Sequence, residues 1–186
     1  MATNTRRFIP RLQPLDERAL PSVTYLLQGS LLFVTGDANA NVITITDSGT
    51  ATGVKVTGDG AAYEATTPIT HVFVDTGDGD DTVVYNLSTS LLANRLVDAR
   101  LGRGRDSFTA NITGQSLATG VNLDISVYGA GGADALVLNA QGLNTNVGSI
   151  LNVYFNGGAG KDKVTFYYSP GAVCDGSILL DKDQRQ

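Results

Sequence analysis

Apolar residues recur at alternate positions in five short stretches, each directly after a glycine-containing turn. Ile43 and Ile45 stand two and four places after Asn41, and Val83 and Tyr85 hold the same places after Asp81. Phe108 and Ala110 follow Asp106 in this way, Leu136 and Leu138 follow Asp134, and Val164 and Phe166 follow Asp162. Thr44, Val84, Thr109, Val137 and Thr165 fall between them. Successive side chains of a strand point to opposite faces, so this alternation predicts strands with one face turned inward. A second alternating set precedes each turn: Leu32 and Val34, Val72 and Val74, Val97 and Ala99, Ile125 and Val127, Val153 and Phe155. Every unit therefore holds two strands and two turns.

The turns between the two sets recur at nearly constant spacing. They run Gly36-Asp37-Ala38-Asn39-Ala40-Asn41, Thr76-Gly77-Asp78-Gly79-Asp80-Asp81 and Leu101-Gly102-Arg103-Gly104-Arg105-Asp106. Gly129-Ala130-Gly131-Gly132-Ala133-Asp134 and Gly157-Gly158-Ala159-Gly160-Lys161-Asp162 complete the series. The last four close on Asp at spacings of 25, 28 and 28 residues. A fixed period of this length stacks like strands on like, in parallel, about 4.8 Å apart. The expected fold is all-β, a parallel β-solenoid of about five coils of 25–28 residues over 25–186. The second turn of each coil is looser: Ser88-Thr89-Ser90, Thr113-Gly114-Gln115, Gln141-Gly142-Leu143 and Ser169-Pro170-Gly171. Asn86, Asn111 and Asn139 share one register and predict a ladder of side-chain amides. Asn86 and Asn111 also open Asn-x-Ser/Thr sequons, but the register explains all three. The first interval, Asn41 to Asp81, is 40 residues. Its excess lies within 47–69, where Gly53–Val56 and Ala61–Glu64 flank Gly58-Asp59-Gly60. This reads as a hairpin that projects from the first coil or broadens it.

A length of 186 residues fits one domain, and 22 glycines with 17% charged residues fit a turn-rich β protein. The net charge of -5 argues against nucleic acid as a partner and suits a hard cation. No apolar run approaches the ~18 residues of a membrane span. The single Cys174 excludes an internal disulfide and is expected to be a small buried residue. Residues 1–24 read as a basic extended arm, with Arg6, Arg7, Arg11 and Arg18 against Asp16 and Glu17. They lack the apolar region of a standard cleavable signal peptide. The arm is expected to lie on its own acidic body or on a neighbouring subunit.

Alternate glycines allow positive φ and bring carbonyl oxygens together. With a closing carboxylate they can offer the six to eight oxygens that calcium prefers. Candidate ligands are Gly36, Asp37, Asn39 and Asn41; Gly77, Asp78, Gly79 and Asp81; and Gly102, Gly104 and Asp106. The last two turns add Gly129, Gly132 and Asp134, and Gly158, Gly160 and Asp162. Zinc is disfavoured by the single His and single Cys. The run Gly157 to Val164 matches G-G-x-G-x-D-x-apolar and resembles the RTX, or haemolysin-type, calcium-binding repeats. That resemblance implies calcium at Asp81, Asp106, Asp134 and Asp162 and the glycines before them. Because the motif comes once per coil, it implies a single file along one edge. Asn41, Arg103, Arg105 and Ala130 depart from the pattern. The alternative is plain tight turns in which Asp makes local Asx hydrogen bonds. The segment Pro10 to Ser22 is similar to the Leu-Glu-x-Leu-Glu-x-Arg stretch of exported bacterial repeat proteins. This implies an extracellular or cell-surface location in a bacterium.

Gly176-Ser177-Ile178-Leu179 repeats Gly148-Ser149-Ile150-Leu151 at an offset of 28, so no C-terminal cap is expected. An open coil favours a head-to-tail homopolymer with continuous strand pairing across the junction. The chain thus resembles calcium-laddered extracellular filament subunits of pilus-like type. The alternative function is a monomeric adhesin that presents 47–69 to a surface glycan. A polysaccharide lyase would need Arg95, Arg100 or Arg103 in a groove. His71 has no evident catalytic partner, so an enzyme is not expected.

Overall fold

The structure, a computed structural model, describes residues 22–168 and the strand Ile178–Asp181. The arm up to residue 21, Cys174 and the turn Ser169-Pro170-Gly171 lie outside the described residues.

Two seven-stranded sheets face each other across one core. In the first, β1 (Thr24–Gln28) pairs with β2 (Leu31–Thr35), followed in space by β6 (His71–Asp75), β8 (Arg95–Arg100), β12 (Asn122–Tyr128), β16 (Ile150–Asn156) and β19 (Ile178–Asp181). The second runs from β5 (Ala61–Glu64) through β4 (Val54–Gly58), β3 (Val42–Asp47), β7 (Thr82–Leu87), β10 (Ser107–Asn111) and β14 (Ala135–Ala140) to β18 (Lys163–Tyr168). From β2 onward in the first sheet, and from β3 onward in the second, all pairing is parallel. The stack is a β-solenoid of about four turns, slightly fewer than the five coils expected from the repeat.

Register follows the repeat. Val83 lies beside Phe108, Phe108 beside Leu136, and Leu136 beside Val164. The inward positions of both sheets are buried from Leu32 to Phe155. Each such side chain contributes roughly 1.5–3 kcal/mol on leaving water. The asparagine ladder forms on the outer face of the second sheet. Asn111 Nδ2 donates to Asn86 Oδ1 at 2.7 Å, and Asn139 Nδ2 to Asn111 Oδ1 at 2.6 Å. Tyr167 takes the next place in that register.

The 47–69 segment does not project. β4 pairs antiparallel with β3, and β5 antiparallel with β4, so the insertion extends the second sheet beyond the first coil. β1 does the same for the first sheet by pairing antiparallel with β2. The extensions meet across the end of the core. The Tyr25 and Tyr63 rings lie 6.1 Å apart, and the Tyr25 hydroxyl donates to the Ala61 carbonyl at 3.1 Å. Val23 is buried beneath them. This cap changes the expected junction between subunits. β2 and β3 already have partners on both sides, so the outer edges at this end are β1 and β5 rather than the first coil.

The looser second edge of the solenoid is held by a buried ion pair. Asp47 closes β3, Arg95 opens β8, and Arg95 Nε lies 2.7 Å from Asp47 Oδ2 with both side chains fully buried. The Tyr85 hydroxyl donates to Asp47 Oδ2 at 3.0 Å, and Gly49 N–H donates to Asp47 Oδ1 at 2.7 Å. A lyase would need Arg95, Arg100 or Arg103 as a groove cation. Arg95 is instead a structural residue of the core.

Candidate functional site

The glycine turns stack into an edge of their own. Short strands β9 (Arg103–Gly104), β13 (Gly131–Gly132) and β17 (Ala159–Gly160) form a parallel three-stranded ribbon along it, and Asp78 joins by bridging to Arg103. This stacking explains the glycines. A Cβ on Gly104, Gly132 or Gly160 would collide with the carbonyl oxygen of Gly79, Gly104 or Gly132 on the preceding rung. These glycines also have φ of 152°, 141° and 151°, a region L side chains avoid. The first turn has no turn stacked before it, so it places Asn39 where the later ones need glycine.

The closing residues point inward, in phase with the core positions that follow them. Asn41, Asp81, Asp106 and Asp134 are buried at 0–1% exposure, and Asp162 is half-buried. Each carboxylate caps the rung before it. Asp81 Oδ1 accepts the Asn41 N–H at 2.7 Å, and Asp106 Oδ1 accepts the Asp81 N–H at 2.8 Å. Asp134 Oδ1 accepts the Asp106 N–H, and Asp162 Oδ1 accepts the Asp134 N–H, both at 2.9 Å. The hydrogen bonds thus run between coils, not within one turn as a simple Asx motif would have them.

The second oxygens are different. Oδ2 of Asp81, Asp106 and Asp134 is buried without a hydrogen-bond partner. A buried carboxylate oxygen in this state favours a proton or a cation. Burial and neighbouring carboxylates push Asp106 up to about 7 and Asp134 up to about 6, with burial the larger cause. Burial also raises Asp81.

The first turn is closed by its own side chains. Asn41 Oδ1 accepts the Asp37 N–H at 3.0 Å, and Asn41 Nδ2 donates to Asp37 Oδ1 at 3.3 Å and to Asp59 Oδ2 at 3.0 Å. Asp37 also accepts from the backbone and side chain of Asn39. Asp37, Asn39 and Asn41 therefore come together, but as the local Asx arrangement. Asp78 is exposed and stands apart from the inward carboxylates, and Arg103 and Arg105 point to solvent.

Oxygen donors converge best between the last two glycine turns. A Cβ on Gly129 would run into Asp134 Oδ2 and lie 2.8 Å from the Gly157 carbonyl oxygen. A Cβ on Gly157 would run into Asp162 Oδ2. The matching places on the two preceding rungs carry the side chains of Thr76 and Leu101. The oxygen chemistry thus fits a hard cation at Asp134 and Asp162 beside the Gly157 carbonyl, where glycine at 129 and 157 lets a carboxylate oxygen take the place of a Cβ. At Asp81 and Asp106 the same buried oxygen lies in a turn that opens with a side chain, Thr76 or Leu101. Among the described residues, no three Asp, Glu, His or Cys side chains cluster in a metal-binding arrangement, so backbone oxygens would have to complete any such site. In the sequence, Gly157 and Asp59 read only as turn residues and not as candidate ligands; Asp59 lies in the inserted hairpin, whose meeting with the first turn the sequence does not show.

No family model, curated protein or solved structure matches the chain.

Proposed function

We propose that the protein is a structural, non-catalytic β-solenoid, stabilised by calcium at its glycine-aspartate edge and assembled as a subunit of an extracellular bacterial filament. The observation that carries this reading is the file of buried carboxylates at Asp81, Asp106 and Asp134, each with one oxygen unpartnered, the last of them close to the Gly157 carbonyl oxygen. Asp134 and Asp162 with the Gly157 carbonyl would hold the ion, and calcium would supply the positive charge that the buried carboxylates lack. The match of Gly157 to Val164 to the RTX pattern supports the same assignment. Sites with few anionic ligands load at the millimolar calcium found outside cells.

The filament half of the proposal is supported by β18. Phe166 stands in the register of Tyr85, Ala110 and Leu138, which are buried, yet is itself 38% exposed. Tyr167 and Tyr168 are 49% and 54% exposed. Among the described residues, the outer edge of β18 has no strand partner. The head-to-tail contact we propose sets this rung against the β1/β5 cap of a second copy. A lyase reading loses Arg95 to the core, and the adhesin reading loses its projecting hairpin to the cap.

Light scattering and negative-stain images, taken with millimolar calcium and with a chelator, test both halves beside a thermal melt. Filaments and a raised Tm in calcium alone are expected. Monomers at high protein and calcium would sink the assembly, and a melt unmoved by calcium would sink the ion site.

A further inference from the structure

A shallow trough of about 590 Å³ opens on the outside of the glycine edge. It is lined by Arg105, Ser107, Ala133, Ala135, Lys161 and Lys163, and is bordered by Asp106, whose side chain is buried. Its shape comes from the repeat. Gly104, Gly132 and Gly160 are in register, so the next residues, Arg105, Ala133 and Lys161, stack on one another. Ser107, Ala135 and Lys163 form a second stack beside them. Two alanines on the middle rung leave a notch, with Arg105 on one side and two lysines on the other.

The charges around the notch are unspent. Among the described residues, Arg105, Lys161 and Lys163 are exposed and make no ion pair. The molecule also shows what such a position accepts. One rung earlier, Asp80 occupies the same stack, and its Oδ1 accepts the Arg105 N–H at 2.8 Å. A carboxylate therefore already sits over the backbone there. Beside the equivalent N–H of Lys161, the preceding-rung residue is Ala133, whose methyl supplies no acceptor.

We propose that Arg105, Ala133, Lys161 and Lys163 form a binding site for a carboxylate-bearing glycan, with one carboxylate over Ala133 in the place Asp80 holds two rungs earlier. Arg105 and the two lysines neutralise it, and Lys161 N–H is the backbone donor facing it. The cations flank the notch two rungs apart, about 10 Å by the usual strand spacing. A polyuronate carries a carboxylate on every sugar, so a short run meets both flanks. A peptide that binds by strand addition would lie along the edge of β18, whereas these cations are set across the rungs on the outward face. Three cations in one trough do not make the extended basic stripe that a nucleic-acid backbone needs. Lys163 opens β18, the rung proposed above for the head-to-tail contact, so the site is tested on the unassembled chain without calcium.

The test titrates trigalacturonate, neutral galactotriose and acetate into the full chain in a chelator at low salt, by calorimetry. Saturable binding of trigalacturonate is expected, with none of galactotriose and at least tenfold weaker binding of acetate. Ala133→Asp should reduce trigalacturonate binding at least tenfold while leaving the melt unchanged or raised, because it fills the notch as Asp80 does. The double variant Lys161→Ala/Lys163→Ala should reduce it at least fivefold. Undiminished binding by a folded Ala133→Asp variant would overturn the proposal. So would equal binding of the neutral trimer, acetate binding as tight as the trimer, or no binding at all.

Discussion

In the first glycine turn, every polar atom of the Asn41 side chain has a partner within reach. At the same place in the next three turns, Asp81, Asp106 and Asp134 each keep one buried oxygen without any. The backbone task is shared, since the inward side chain closes the turn in every case. Chemistry separates the two regions. An amide brings its own donors to two neighbouring carboxylates, whereas an ionised carboxylate can only accept. The first turn is thus complete as a hydrogen-bonded unit, with the Asn41 amide supplying donors to Asp37 and Asp59. The later turns are complete only with a proton or a cation. The glycine at the fourth turn position divides the same way, because only the later turns have a carbonyl of the preceding rung pressed against it.

The largest effect should come from that contact. Gly132→Ala sets a methyl against the Gly104 carbonyl at φ 141°, and the atoms it meets first are backbone rather than the end of a flexible side chain. It should cost on the order of 3–5 kcal/mol or prevent folding. Gly131→Ala, one residue away, meets nothing within 4 Å and has no positive φ. It should cost less than about 1 kcal/mol. Chemical denaturation of both variants reads the difference. Equal costs would mean that the rungs are not stacked as closely as drawn.

That glycine requirement was legible in the sequence as a period, though not its cause. Positive φ alone would have explained Gly104, but the carbonyl behind it appears only once the rungs are stacked. The core strands were legible because alternation and spacing agree over five units. The buried ion pair was legible in principle. Asp47 is in phase with Ile43 and Ile45, and Arg95 with Val97 and Ala99, so both charges had to point inward. What hid the pair was their separation of 48 residues. The cap was not legible, since alternation in 54–64 identifies strands without saying which sheet edge they extend. The direction of the closing Asp residues follows from their phase with Val83, Phe108 and Leu136. Their missing partners do not, because a sequence does not show which oxygens are left over.

The next effect separates proton from cation. Asp106 and Asp134 are raised above the ordinary carboxylate range, so the folded state holds protons that the unfolded chain releases near pH 4. Without divalent ions, the stability these two groups contribute should be greatest below about pH 4. It should fall as pH rises through about 6 and 7, then level off. Asp106→Asn supplies the amide that Asn41 already uses in the first turn. It should flatten the upper part of that fall and hold stability at pH 8. Asp134→Asn should flatten the lower part and also remove the calcium gain. That gain is about 2.7 kcal/mol when the ion is at 100 times its Kd. Thermal melts across pH 4–8, with and without calcium, check each arm. A wild-type curve that rises with pH in a chelator would contradict the unpartnered state of these oxygens.

The smallest effect probes the first turn itself. Asp37→Ala removes the acceptor for Asn39 and one of two acceptors for Asn41 Nδ2, leaving Asp59 Oδ2 at 3.0 Å as the other. The lost bonds lie on an exposed turn at the capped end, so the cost should be the smallest of these effects. Calcium should not alter that cost, because this turn completes itself without an ion. Stability measured for wild type and Asp37→Ala, each with calcium and with chelator, closes a four-cornered cycle. A coupling near zero keeps the two regions chemically distinct. A coupling above about 1 kcal/mol would place Asp37 among the ion's ligands after all and erase the distinction between the first turn and the rest.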